Sequence, residues 1–248
     1  MMRLNEKVAV ITGAGMGLGQ SMALLFSSEG ARVVVADIDR ASGEATVRMI
    51  TGRGGQAIFV EADVSKAADA EGMIGAAVAA FDRVDILVNN AGVQVERNVP
   101  DTTEAQWDFV LGVNLKGPFL CSKYAIEQML RQGSGNIICI SSISGLTGQA
   151  NQASYNASKH GLIGLVRCMA CDHAKENIRV NALCPGSMNT TMAAKIPKEH
   201  LAPYYKANLL ERFAEPIEVA HAALFLASDE SSYMTGSVMV VDAGYTTK

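Results

Sequence analysis

The chain has 248 residues, 49% of them apolar and 19% charged, with a formal charge of −4 and a pI near 5.6. That is ample material for one large core and leaves no sign of disorder. The charges are interspersed and slightly acidic, so the basic stripe of a nucleic-acid binder is missing and no nucleic-acid partner is expected. No apolar run is long enough to span a membrane, and none precedes the first strand as a leader would, so a cytoplasmic protein with no membrane partner is expected.

In chain order, Val8–Thr12 reads as a strand, followed by a glycine-rich turn and a helix through Glu29. Arg32–Asp37 is a second strand, followed by a polar helix over roughly Ala41–Gly52. Ala57–Glu61 is a third, with Ser65 as N-cap of a helix to about Phe81. Ile86–Asn89 is a fourth. One long helix is predicted over roughly Glu104–Arg131, entered through Asp101 and Glu104 at capping-box spacing. Asn136–Ser141 is the fifth strand, and a second long helix covers roughly Tyr155–Glu176. Arg179–Leu183 is the sixth strand, Pro185-Gly186 breaks the chain, and an irregular stretch runs to about Glu215. Pro216 opens a helix to Ala227, and Val238–Val241 is the last strand.

These strands are apolar at almost every position rather than alternating, as strands covered on both faces must be. Strand–helix alternation throughout then predicts an α/β fold, a doubly wound parallel sheet of seven strands with helices on both faces. With no repeat or linker, residues 1–248 are expected to form a single dinucleotide-binding and catalytic domain, with 187–215 as its substrate-binding loop or lid. Five cysteines (121, 139, 168, 171 and 184) fit reduced, mostly buried thiols. Cys168 and Cys171 have redox or metal-pair spacing, but no second Cys pair or His cluster completes a zinc site. They read as two small core residues on one helical face, and no metal is expected.

Thr12-Gly13-Ala14-Gly15-Met16-Gly17-Leu18-Gly19 follows the first strand directly and opens a helix. Glycines there permit a tight turn and let backbone N–H groups approach a pyrophosphate at a helix N-terminus; a turn serving packing alone would use the same residues. Asp37 ends the second strand 18 residues after Gly19, followed by Ile38. A carboxylate there accepts hydrogen bonds from adenosine ribose hydroxyls and repels a 2′-phosphate, so NAD(H) is expected over NADP(H). Its other possible role is to cap the following turn.

Tyr155 and Lys159, four apart in a helical segment, share one face, and this is the chain's single Y-x-x-x-K. A free phenol has a pKa of about 10, so a base working near pH 7 needs roughly 4 kcal/mol of help. A neighbouring ammonium and a positively charged nicotinamide are both expected to favour phenolate. Ser142 follows the fifth strand, at the sheet end where doubly wound folds bind ligands.

Together with Asp63-Val64, Asn89-Asn90-Ala91-Gly92, Val113-Asn114, Ser141-Ser142, Pro185-Gly186 through Thr190, and Asp242-Ala243-Gly244, these motifs resemble the short-chain dehydrogenase/reductase family over nearly the whole chain. The resemblance implies that Ser142 holds the substrate oxygen, and that Tyr155 takes or gives its proton. Lys159 lowers the Tyr155 pKa and binds the nicotinamide ribose, and Asn114 holds a water in a proton relay. Asn114 is equally consistent with a helix residue bonded to a neighbouring strand. The resemblance also implies that Gly13, Gly15, Met16, Gly17, Leu18 and Gly19 cradle the pyrophosphate and that Asp37 and Ile38 meet the adenosine ribose. Asp63 and Val64 take the adenine, Asn90, Ala91 and Gly92 line the groove, Pro185, Gly186 and Met188 adjoin the nicotinamide, and Thr190 touches the nicotinamide amide or the pyrophosphate.

Substrate contacts are expected in Ser187–Glu215, Val93–Arg97, Ile143–Leu146 and Gln149–Gln152. These stretches mix apolar residues and glutamines without a basic cluster, so a small or medium, uncharged secondary alcohol or ketone is expected. The alternatives are a 3-oxoacyl-[acyl-carrier-protein] reductase, which typically prefers NADPH and carries a basic residue where Met16 stands, and a non-catalytic dinucleotide-binding protein. The resemblance further implies a homotetramer joined through Trp107–Leu130 and Ala157–Ala174, with Val238–Lys248 at a second interface.

Overall fold

The fold is that of a computed structural model, which describes residues 2–190 and 205–247. Seven strands form one all-parallel sheet: β1 (Val8–Thr12), β2 (Arg32–Asp37), β3 (Ala57–Glu61), β4 (Ile86–Asn89), β5 (Gly135–Ile140), β6 (Ile178–Pro185) and β7 (Val238–Val241). Their order is β3-β2-β1-β4-β5-β6-β7. The chain winds outward from β1 in one direction and from β4 in the other. The first crossover reversal therefore opens a crevice above the carboxyl ends of β1 and β4.

Among the described residues the α-helices are α1 (Gly17–Ser28), α2 (Arg40–Thr51), α3 (Ala67–Phe81), α4 (Glu104–Leu111), α5 (Gly117–Gln132), α6 (Ala153–His173) and α7 (Pro216–Ala227). Two apolar cores result, one on each sheet face. Phe26, Met22 and Ile50 fill the α1, α2 and α7 side; Met73, Met129, Leu162 and Val166 fill the α3, α5 and α6 side. Every residue of β1 is buried, with successive side chains feeding opposite cores, which explains its unbroken apolar run. At the amino end of the sheet, Asp85 accepts from the Val8 N–H (2.9 Å) and from the Arg83 guanidinium (2.6 Å), tying β1 to β4.

Four local expectations are corrected. The long helix over 104–131 is broken by a π-turn at Gly112–Lys116, because Asn114 bonds the backbone of Val93 and holds the extra residue in place. The capping box at its start uses Thr103 and Gln106, two residues later, not Asp101 and Glu104. Ser65 does not cap α3; its hydroxyl donates to Asp63, and Lys66 is the N-cap residue. Cys168 and Cys171 are exposed on α6, unlike buried Cys121, Cys139 and Cys184. Helical spacing gave them a common face but could not say which face meets the sheet. Elsewhere element ends shift by one to three residues; α6 begins at Ala153, so Tyr155 sits inside its first turn.

Candidate active site

The crevice is walled by the turn after β1. Gly13 (φ 63°) and Gly17 (φ 57°) occupy the left-handed region, and a Cβ at Gly19 would come within 2.1 Å of Gly13 O. A Cβ on Gly13 would meet Ala91 Cα at 2.9 Å, so this turn and the β4 loop lie against each other. Thr12, wholly buried, joins them: its hydroxyl accepts from the N–H groups of Asn90 and Ala91, both at 3.0 Å. Asn90 in turn donates to Thr12 O (2.9 Å) and Gly13 O (3.1 Å). Thr12 was legible only as part of a motif; a hydroxyl ending an apolar run was the signal of its bridging position.

Asp37, at the carboxyl end of β2, accepts from Gly15 N–H (2.8 Å) and Asp39 N–H (3.0 Å). It therefore braces the glycine turn as well as capping its own. Arg40, the nearest cation along the chain, is bonded to Glu61 (2.7 Å) and Glu44 (3.4 Å) and lies over Phe59. Ile38 is 68% exposed beside them. Asp63 accepts from the Ser65 hydroxyl at 2.7 Å, which with the Ser65 N–H and Lys66 holds its carboxyl below the usual range against the opposing effect of burial. Val64 is buried against Gly117.

Across β5 and α6 the second half assembles. Lys159 is only 4% exposed; its Nζ donates to Ile140 O at 2.9 Å and lies 5.5 Å from the Tyr155 ring centroid. Ser141 and Ser142 diverge: the Ser141 hydroxyl donates to Lys159 O (2.9 Å). The Ser142 hydroxyl accepts from Ser144 N–H (3.1 Å) and hydrogen-bonds the Tyr155 phenol. Asn114, fully buried, pairs through its amide with both Val93 N–H and Val93 O (2.8 Å each) and donates to Ser158 (3.2 Å). Gly92 closes the cluster, since a Cβ there would lie 3.5 Å from Asn114 Oδ1 and 3.6 Å from Lys159 Nζ.

The electrostatics of the unliganded site are set by burial. Burial pushes the Tyr155 phenol up from its ordinary value, opposed by the Ser142 hydrogen bond. Burial also brings the Lys159 ammonium down to about 8. Desolvation is the largest cause for both partners.

After β6, a Cβ on Gly186 would reach Asp242 Cα at 2.8 Å, so this turn hugs the end of β7. Pro185 is the last residue of β6, Met188 bridges to Ala214, and the Thr190 methyl lies 3.8 Å from where a Gly17 Cβ would be. The loops expected near a substrate also meet: Arg97 bridges to Gln152, whose side chain accepts from Ser144 (3.3 Å). Of the stretch 187–215, residues 191–204 lie outside those described. A cavity of about 540 Å³ bordering that stretch is lined by Asn189, Tyr205, Phe213 and neighbours, and by none of Asn114, Ser142, Tyr155 or Lys159.

A doubly wound parallel sheet, a glycine turn entering a helix at the topological switch, and a Ser-Tyr-Lys cluster facing it define a dinucleotide-fold oxidoreductase in class. The profile of the family described as enoyl-(acyl carrier protein) reductase matches residues 13–246. An uncharacterized oxidoreductase of Thermotoga maritima is 43% identical, covering 99% of each chain. From the same organism, a 3-oxoacyl-[acyl-carrier-protein] reductase is 39% identical over 98% of this chain and 99% of its own. The cyclopentanol dehydrogenase of Comamonas sp. (strain NCIMB 9872) is also 39% identical, over 99% of both chains. Among solved structures, a short-chain type dehydrogenase/reductase from Mycobacterium marinum superposes with a TM-score of 0.96 at 32% identity, covering 100% of this chain and 98% of that one. The chain belongs to the short-chain dehydrogenase/reductase family and is an oxidoreductase.

Proposed function

We propose that the protein is an NAD(H)-dependent dehydrogenase that interconverts a small or medium, uncharged secondary alcohol and its ketone. The observation that carries this reading is the buried Lys159 amine beside the Tyr155 ring, with Ser142 hydrogen-bonded to the phenol, at the carboxyl edge of the sheet. Hydride chemistry is supplied by a bound nicotinamide dinucleotide. The glycine turn fits such a group, because Gly13, Gly15, Met16, Gly17, Leu18 and Gly19 bring backbone to the α1 N-terminus with no Cβ at the tightest points. Asp37 and Ile38 hold the adenosine ribose, Asp63 and Val64 the adenine, and Asn90, Ala91 and Gly92 the wall of the groove. Pro185, Gly186, Met188 and Thr190 adjoin the nicotinamide half.

In oxidation, Ser142 orients the substrate hydroxyl and Tyr155 accepts its proton; in reduction, Tyr155 donates that proton. Lys159 holds the ribose and stabilises phenolate whenever its amine is protonated. Asn114 aligns the Val93 segment and carries the proton path from Lys159 outward. Support for NAD(H) over NADP(H) comes from Asp37, a carboxylate where a 2′-phosphate would lie, and from Arg40, whose guanidinium is already committed to Glu61 and Glu44.

Two further readings accompany this one. The chain acts as one dinucleotide-binding and catalytic unit in the cytoplasm, with 187–215 as its substrate loop. Among the described residues no helix is long and apolar enough to cross a membrane. It assembles as a homotetramer through Trp107–Leu130, where Trp107, Phe109 and Phe119 are exposed in the single chain, and Ala157–Ala174; gel filtration returning a monomer at micromolar concentration would remove that part.

The 39%-identical carrier-protein reductase supports a competing substrate, a carrier-bound 3-oxoacyl group. A panel of secondary alcohols, ketones and 3-oxoacyl thioesters, followed at the nicotinamide absorbance with both dinucleotides, separates the two. Turnover of thioesters alone, or tighter binding of NADPH than NADH, overturns the proposal. Tyr155→Phe is expected to lose about 10²- to 10⁴-fold in turnover while still binding NADH.

A further inference from the structure

Gly15 stands at the middle of the glycine turn, and the peptide groups on both its sides are held by side chains. Its N–H donates to Asp37 (2.8 Å). Its carbonyl accepts from Gln20 Nε2 on α1 (3.1 Å) and from Thr46 Oγ1 on α2 (3.3 Å). Gln20 Nε2 also donates to Thr46 Oγ1 (3.0 Å), so the three groups close a triangle. Neither Gln20 nor Thr46 belongs to the motif that marks the turn.

Thr46 is wholly buried on the inward stripe of α2 with Gly43 and Ile50. Valine has the same shape and carries no hydroxyl to desolvate, so packing alone gives no reason for threonine. Its hydroxyl does have a local alternative, the Ser42 carbonyl at 3.2 Å. The Gly15 carbonyl, however, has Gln20 and Thr46 as its side-chain partners. The peptide joining Gly15 to Met16 is planar and trans. Turning its carbonyl toward the α1–α2 contact therefore turns the Met16 N–H the opposite way, away from that contact.

We infer that Gln20 and Thr46 are positioning residues for the dinucleotide: they fix the Gly15 carbonyl from behind and so preset the N–H groups at the α1 N-terminus. The inference rests on the dinucleotide reading above and deepens it. Asp37 belongs to the same brace, which couples the ribose carboxylate to the pyrophosphate turn through one residue. Ordering the turn before binding removes that ordering from the binding step, so the effect appears in affinity rather than in folding.

The test measures NADH dissociation constants by nicotinamide fluorescence, with unliganded melting temperature and amide exchange at Met16–Gly19 beside them. Thr46→Val and Gln20→Met are each expected to raise the NADH dissociation constant about 3- to 10-fold, the range of one hydrogen bond. Melting should stay within a few degrees and the turn's amides should exchange faster. Thr46→Ser, which keeps the hydroxyl, should restore wild-type affinity. The double variant should lose less than the product of the single losses, because both side chains hold one carbonyl. Should Thr46→Val fold poorly, half-buried Gln20→Met carries the test alone. Unchanged NADH affinity and amide exchange in these variants overturns the brace while leaving the dinucleotide reading intact. A wild-type protein that binds neither NADH nor NADPH overturns both.

Discussion

At the scale of residues, Tyr155 and Lys159 pose a titration question that sequence spacing does not address. Four-residue spacing says that the two meet; it says nothing of the Ile140 carbonyl and the apolar floor beneath them. With the amine brought to about 8, its protonated fraction falls across mildly alkaline pH, and so does its pull on the phenol. This has a measurable sign. An unfolded lysine holds its proton to about pH 10.4, whereas the folded one releases it near 8. Between those values the unfolded state binds more protons, so this group's contribution to stability rises with pH. The stability of wild type minus that of Lys159→Met should therefore shift in favour of wild type by about 3 kcal/mol between pH 7.5 and 10.5. Denaturant unfolding of the unliganded proteins at both pH values measures it; a flat difference would mean an amine with an ordinary pKa.

Whole elements were legible in proportion to how local their causes are. The strands were readable because burial on both faces leaves an apolar run that needs no partner to be recognised. The π-turn at Gly112–Lys116 was not, since it depends on Asn114 pairing with Val93, 21 residues earlier in the chain. The same distinction separates glycines that look alike in sequence. Gly72 and Gly75 lie exposed within α3, and a Cβ on either meets nothing within 4 Å. Gly43 in α2 sits against Phe59, 2.1 Å from where its Cβ would be. Gly72→Ala and Gly75→Ala should each stabilise the protein by about 0.5–1 kcal/mol through helix propensity and a less free unfolded chain. Gly43→Ala should destabilise it by about 1–3 kcal/mol through overpacking. Thermal unfolding of the three variants should show opposite signs, and equal shifts would refute the packing argument for Gly43.

For the molecule as a whole, the sheet order decides where chemistry can happen. Reversal between β1 and β4 leaves the carboxyl ends of both strands uncovered by a crossover, and the glycine turn, the β4 loop and the Tyr155 cluster all gather there. On the proposed reading, a dinucleotide bound across that crevice would touch segments from residue 13 to residue 190, so binding should stabilise the entire fold. At 100 times its dissociation constant NADH adds about 2.7 kcal/mol, a rise of roughly 5–10 °C in melting temperature for a chain of this size. Differential scanning fluorimetry with NADH and NADPH at equal concentration reads it, and a larger shift with NADPH would contradict the assignment of Asp37.

The amino-acid sequence alone determined the class of fold, the strand inventory and the motif residues of the crevice, because strand burial and turn chemistry are written within a few residues of where they act. Which glycines are crowded, which cysteines face outward, which way burial moves Tyr155 and Lys159, and that Gln20 and Thr46 reach the Gly15 carbonyl were decided only in three dimensions. Each of those depends on what a distant segment brings to the spot, and a desolvation or a contact has no value until that neighbour is in place.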